Sequence, residues 1–215
     1  DKYYFGKVDR ISPEAPVPIV NIQKEESRLG GASNVANNIV SLGGHSLLCG
    51  VIGHDLFGKE IERISRHKNI DTFLLKTSSP TITKARIIGG KQQIVRVDYE
   101  DKSELNADNK KLFRDTISRI LPEYDILVIS DYGKGLISED LCRYLIKLAH
   151  KYDKKVIIDP KGKNWEKYSG ADIVTPNVKE LSDIVGYTVP NTDRAIEKAA
   201  REAITNNHLT ALLVT

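Results

Sequence analysis

The 215-residue sequence predicts an α/β fold: a mostly parallel central sheet with helices on both faces, and a small antiparallel β-sheet standing off it. Three observations lead there. From about residue 46 onward, short apolar runs of strand length alternate with helical stretches, the pattern of a parallel sheet closed by right-handed crossovers. Two segments break that pattern, residues 17–23 and a hairpin around Gly89-Gly90-Lys91. Both alternate apolar and polar residues, as a half-exposed antiparallel sheet does. Hydrophobic residues make up 40% and charged residues 28% of the chain, a balance that supports one substantial core, with or without a small appendage.

The elements follow in order. Asp1-Lys2-Tyr3-Tyr4-Phe5-Gly6 is an aromatic segment with the look of ordered structure. Residues 17–23 alternate into a short strand after a proline-rich lead-in. Residues 32–42 are helical, with Val35, Ile39 and Leu42 on one face. Residues 46–52 form a buried strand, residues 55–67 a helix with Leu56, Ile61 and Ile64 apolar, and residues 71–75 another strand. Residues 82–88 and 92–97 flank the glycine turn as a hairpin. An amphipathic helix over 106–121 precedes a buried strand at 125–130 and a helix at 139–152. Strand 155–158, a short strand near Ile173, helices at 178–185 and 193–206, and strand 210–215 complete the chain. No repeat or low-complexity segment interrupts it.

A net charge of +3 is small for this length, so neither nucleic acid nor a membrane surface is expected as a partner. Cys49 and Cys142 each lie in an apolar run and read as small buried hydrophobes, without disulfide or metal spacing, which fits a reducing cytoplasm. No apolar run reaches the ~20 residues a membrane span needs, and no signal peptide is visible. The chain has no methionine, begins in an ordered segment, and closes on a core-like strand, Ala211-Leu212-Leu213-Val214-Thr215. It is therefore expected to be an internal piece of a longer protein, truncated at both ends.

Polar clusters fall where an open α/β sheet binds ligands, beyond the carboxyl ends of its strands. Residues 127–130 run into Asp131-Tyr132-Gly133-Lys134-Gly135, residues 156–158 into Asp159-Pro160-Lys161-Gly162, and residues 173–174 into Thr175-Pro176-Asn177, with Glu180 one turn on. Each has a plainer reading: Asp159-Pro160 favours a turn, and Asn177 with Glu180 suits a helix capping box. Near the start, Gly30-Gly31 opens a helix and Asn34 stands on its first turn. Paired glycines admit a ligand close to the backbone, and the helix terminus offers free N–H groups. Here too a simple turn is the alternative.

The run Gly30-Gly31-Ala32-x-Asn34-x-Ala36, then Gly43 and Gly53, resembles the N-terminal signature of the ribokinase-like (PfkB) carbohydrate kinases. One branch is closer still. Arg10-Ile11-Ser12-Pro13-Glu14-Ala15-Pro16-Val17-Pro18, Thr81-Ile82-Thr83-Lys84-x-Arg86, Gln92-Gln93, Arg96-x-Asp98, Ser130-Asp131-Tyr132-x-Lys134-Gly135 and the two later strand-end motifs resemble the heptose-7-phosphate kinase domain of the bifunctional kinase/adenylyltransferases of ADP-heptose synthesis.

That resemblance implies a ribokinase-like three-layer α/β/α fold over residues 1–215, partial, with a β-lid formed by about 1–28 and 80–100. It also implies ATP-dependent phosphorylation of D-glycero-β-D-manno-heptose 7-phosphate at C1 to the 1,7-bisphosphate, for the lipopolysaccharide core. Homodimers whose lids clasp one another are implied as well. By the same carry-over Asp1, Gly30, Gly31 and Asn34 bind the sugar. Lys84 and Arg86, alternating on the hairpin and so on one face, hold the 7-phosphate unless they are merely a solvated surface. Lys161 is a second phosphate ligand, and Asn177 and Glu180 lie by the ATP phosphates, with Glu180 on Mg²⁺.

The sequence departs from the family in lacking its C-terminal Gly-Ala-Gly-Asp run, whose aspartate is the base and whose glycines form the anion hole. The catalytic base is thus expected beyond Thr215, with the adenine-binding segments, and this chain alone is expected not to turn over. The alternatives are another PfkB sugar kinase or a non-catalytic sugar-phosphate-binding or dimerisation module. A Rossmann reading is weak, because Gly30-Gly31-Ala32 is no G-x-G-x-x-G and Asp55 suits a helix N-cap.

Overall fold

In a computed structural model that describes residues 1–101 and 103–215, the chain forms two units, Asp1–Asp101 and Lys102–Thr215. The first contains β1 (Lys2–Ile11), β2 (Pro18–Ser27), α1 (Ala32–Ser41), β3 (Leu47–Gly53), α2 (Leu56–His67), β4 (Asp71–Thr77), β5 (Thr83–Gly89) and β6 (Gln92–Tyr99). The aromatic first segment is the start of the ten-residue β1, which runs far past Gly6, and β2 extends four residues beyond the expected strand.

These outer strands form one sheet in the order β2-β1-β5-β6. It is mixed, where a purely antiparallel sheet was expected. β1 and β5 pair in parallel, from Lys2 opposite Ala85 to Gly6 opposite Gly89. The physical reason lies in the connections. β1–β2 and β5–β6 are hairpins and must be antiparallel, whereas β1 and β5 are joined through the whole β3–β4 layer, a crossover long enough to restore direction. The register sets Tyr3 beside Arg86, Arg86 opposite Arg96 and Lys84 opposite Asp98, so these side chains share one face. Thr83 and Ala85 are buried on the other.

β3 and β4 pair in parallel from Leu47–Asp71 to Gly53–Thr77. Ala36, Leu48 and Ile70 centre a core there, with Leu29, Ala32, Val40, Ile61 and Leu74 against it. Leu42 and Leu56 were expected on core faces but are 88% and 79% exposed. Leu42 lies past the end of α1, where Gly43 at φ +87° turns the chain away, and Leu56 is the first residue of α2. Asp55 caps α2 by accepting from the Gly58 N–H at 2.8 Å. It also accepts from the N–H and hydroxyl of Thr81, both at 2.7 Å, tying the helix start to the chain that enters β5.

The second unit contains α3 (Ala107–Ile120), β7 (Ile126–Ser130), α4 (Glu139–Lys151), β8 (Lys155–Asp159), β9 (Ile173–Val174), α5 (Val178–Val185), α6 (Asp193–Asn207) and β10 (Ala211–Leu212). Its sheet, ordered β10-β9-β8-β7, is parallel throughout. Leu141, Leu145, Ile146 and Ala149 of α4, with Val156, Ile158, Val174 and Leu181, are buried in its core. The expected strand over 210–215 keeps only two residues in the ladder. β9 is itself two residues long and Pro176 has no N–H to give, so single bonds from Leu213 to the Val174 carbonyl and from Thr215 to the Pro176 carbonyl carry the chain on.

Both thiols are free, and burial pushes each up to about 12, which leaves them protonated and inert. Among the described residues no helix is long and apolar enough to cross a membrane.

Candidate functional site

The predicted site residues fall into two groups, one in each unit. In the first, Asp1 lies just ahead of β1, where its backbone carbonyl accepts the Arg28 N–H at 2.9 Å and so extends the β1–β2 ladder. Its carboxylate accepts from Arg86 Nη1 at 2.8 Å, and both side chains are only 22% exposed. Gly30 lies against the same carboxylate: a Cβ there would stand 2.6 Å from Asp1 Oδ2. Gly31 caps α1 at φ 54° and ψ −136°, a conformation that L side chains avoid. The Ser33 hydroxyl closes the turn by donating to the Gly30 carbonyl at 2.6 Å. Asn34 is exposed on the first turn of α1.

Arg86 also lies over the Tyr3 ring, 5.3 Å from its centroid, and Arg28 lies 4.8 Å from the same centroid. Lys84 is 3.8 Å from Asp98, which Arg96 grips with both arms of its guanidinium at 2.8 and 3.0 Å. The structure therefore brings Asp1, Gly30, Gly31 and Arg86 together, with Lys84 one pair along the same sheet face. Tyr3 and Arg28, which complete the corner around Arg86, carried no local motif and follow only from strand register.

In the second unit, three strand ends and the chain end meet in a cleft of about 200 Å³ lined by Asp131, Tyr132, Asp159, Pro160, Lys161, Thr175, Asn177, Glu180 and Thr215. Lys161, Asn177 and Glu180 are thus brought together, as the strand-end argument requires. The capping-box reading of Asn177 and Glu180 holds, and both residues also line the cleft. Asn177 Oδ1 accepts the Glu180 N–H at 2.9 Å and Glu180 Oε2 accepts the Asn177 N–H at 3.1 Å, a reciprocal capping box on α5. The other oxygen of Glu180 stands 3.6 Å from Lys161 Nζ in the cleft.

Asp159 and Asp131 belong to this cleft too; each stands inside a strand-end motif, with no local signal to single it out. Burial pushes the Asp159 carboxyl above the usual range, and the Glu180 charge pushes it further, against the pull of Lys161. Among the described residues no set of three His, Cys, Asp or Glu side chains forms a metal-binding cluster. Within the cleft Asp159 and Glu180 crowd beside Lys161, carboxylate oxygens of the kind a hard cation takes.

Residues 3–215 match the family described as pfkB family carbohydrate kinase. Similar curated proteins include the bifunctional protein HldE of Helicobacter pylori strain P12, 47% identical over 183 residues, covering 84% of this chain and 40% of the relative. The D-beta-D-heptose 7-phosphate kinase of Bordetella bronchiseptica is 43% identical over 216 residues, covering 100% of this chain and 67% of the relative. The chain thus spans less than half the length of the bifunctional relatives. Among solved structures, phosphofructokinase-2 of Escherichia coli in complex with fructose-6-phosphate superposes with a TM-score of 0.76 at 21% identity, covering 100% of this chain and 69% of that one. That likeness establishes the shared fold.

Proposed function

The chain belongs to the pfkB family of carbohydrate kinases, and on that basis we propose that it serves ATP-dependent phosphorylation of D-glycero-β-D-manno-heptose 7-phosphate at C1. The reaction is a cytoplasmic step toward ADP-heptose. The observation that carries the reading is agreement along the whole chain with a relative named for this activity, 43% over 216 residues.

In this reading the Asp1 carboxylate accepts from sugar hydroxyls while Gly30 and Gly31 let the ring lie close to the start of α1, with Asn34 beside it. Arg86 and Lys84 hold the 7-phosphate, the first as a fork and the second as a point charge. The sheet β2-β1-β5-β6 is the lid. Lys161 grips a further phosphoryl group. Asn177 and Glu180 border the nucleotide phosphates, and Glu180, seconded by Asp159, would hold Mg²⁺. Bound Mg²⁺ offsets charge on the ATP phosphates; the residues of this chain orient and neutralise, which is where most catalysis of phosphoryl transfer originates.

A homodimer through the lid sheet is part of the proposal. Val8, Ile11, Val17, Ile22 and Ile94 expose apolar side chains on or beside β1, β2 and β6, a surface that a second copy would cover. The kinase reading is tested on the full-length gene product by coupled ADP release with heptose 7-phosphate, ribose or no sugar. Turnover with heptose 7-phosphate well above both controls is expected; ribose as the better substrate would overturn the assignment.

A further inference from the structure

A buried polar network underlies the candidate cleft. Asp131, at the end of β7, is only 3% exposed. Its Oδ2 accepts from Lys167 Nζ at 2.5 Å and from the Tyr168 hydroxyl at 2.7 Å, and its Oδ1 accepts the Gly133 N–H at 2.7 Å. Tyr168 is fully buried, and its oxygen accepts the backbone N–H of Lys161 at 3.0 Å. A phenol has a single proton; here it goes to Asp131, which leaves the oxygen lone pairs for Lys161.

Of these contacts of Asp131, two lead toward Lys161. One passes through the Tyr168 hydroxyl to the Lys161 backbone. The other passes through Gly133, which takes a left-handed φ of +62° and lies alongside the lysine stem, so that a Cβ there would stand 3.5 Å from Lys161 Cγ. The amine itself stands 3.6 Å from Glu180 in the cleft. A core-filling role would be met by Phe at 168, without a buried hydroxyl and carboxylate to satisfy. Lysine has a long, rotamer-rich stem, and fixing its root reduces the ordering cost of each contact that its amine makes.

We infer that Asp131 and Tyr168 are positioning residues that aim Lys161 into the cleft as a preset cation for a phosphoryl group. The inference rests on the proposal that Lys161 grips phosphate, and the experiment separates the two. A double-mutant cycle with Tyr168→Phe and Lys161→Met on the full-length gene product would read KM for ATP and for heptose 7-phosphate, kcat, and the melting temperature. Lys161→Met is expected to raise the KM of one substrate by about tenfold or more, the loss of a charge-assisted contact. Tyr168→Phe is expected to raise that same KM by about threefold or more with kcat nearly unchanged, and to add nothing to it in the Lys161→Met background, while its cost in melting temperature persists in both.

If Lys161→Met leaves both KM values unchanged, the phosphate role of Lys161 fails. If Lys161→Met acts but Tyr168→Phe leaves KM alone, or raises it equally in both backgrounds, the phosphate role stands and the positioning role is overturned. Asp131→Asn, which keeps shape but removes charge, supplies a second reading of the same cycle should the phenylalanine variant fold poorly: it too is expected to act on KM only where Lys161 is present.

Discussion

Asp159 separates what the fold tolerates from what the site needs. Burial first, and the Glu180 charge second, hold its carboxyl above the usual range, so the folded chain disfavours the ionised form. Such a group costs nothing while pH stays below its ordinary value of about 4 and weighs against folding once pH rises above it. Asp159→Asn is therefore expected to raise the melting temperature at pH 7 and to leave it unchanged near pH 4, while lowering kinase activity at least about tenfold. Thermal melts at the two pH values and a rate assay check both halves; an asparagine variant that melts lower at pH 7 would contradict the electrostatic account. At this scale the sequence was partly legible. Alternation alone places Lys84 and Arg86 on one face, and strand register bears that out. The partner of Arg86, Asp1, lies 85 positions away, a contact that sequence spacing could not indicate.

At the start of α5 one pair of side chains forms the observed cap and takes the proposed cation-binding role, and a conservative change divides the two. Glutamine accepts the Asn177 N–H as glutamate does but carries no charge. Glu180→Gln is expected to cost less than about 0.5 kcal/mol of stability, a capping effect, and yet to lower activity at least about tenfold by weakening its hold on the cation. Denaturant unfolding and initial rates give the two numbers, and an equal loss in both would leave only the cap. A second junction is purely structural. Asp172, just before β9, is pushed up by partial burial but pulled down further by hydrogen bonds from Lys155, the Val156 N–H and His150, and its carboxyl settles at about 2. A carboxyl depressed in the folded chain contributes stability in full above its unfolded value, and that contribution fades as pH falls from about 4 to about 2. Asp172→Asn is expected to cost about 2 kcal/mol at pH 6, with the gap to the parent narrowing across that acid window in urea titrations. A gap that stays constant with pH would exclude the ion pair as its source. The elements themselves were legible wherever periodicity was strong, as in α5, whose bounds match expectation. They were not where tertiary pairing decided, as in β10, cut short by Pro176 and a two-residue neighbour.

Association of two chains, as proposed, would use the exposed apolar side chains of the β2-β1-β5-β6 sheet. Ile11 is 69% exposed and Ile22 39%, on neighbouring strands. The parent protein is expected to be a dimer by light scattering, and Ile11→Glu with Ile22→Glu to give a monomer with unchanged far-UV circular dichroism; a monomeric parent would sink the clasp. By itself the sequence determined the family, the alternation of strands and helices, and the strand-end positions where polar residues collect. Hydrophobic period and motif spacing are local properties, written in neighbouring residues. Only the tertiary structure decided that β1 runs parallel to β5, that Asp1 answers Arg86, and that Asp131 and Tyr168 converge on Lys161. Those contacts join residues from separate strand ends and turns, and they exist only once the chain has closed the distance between them.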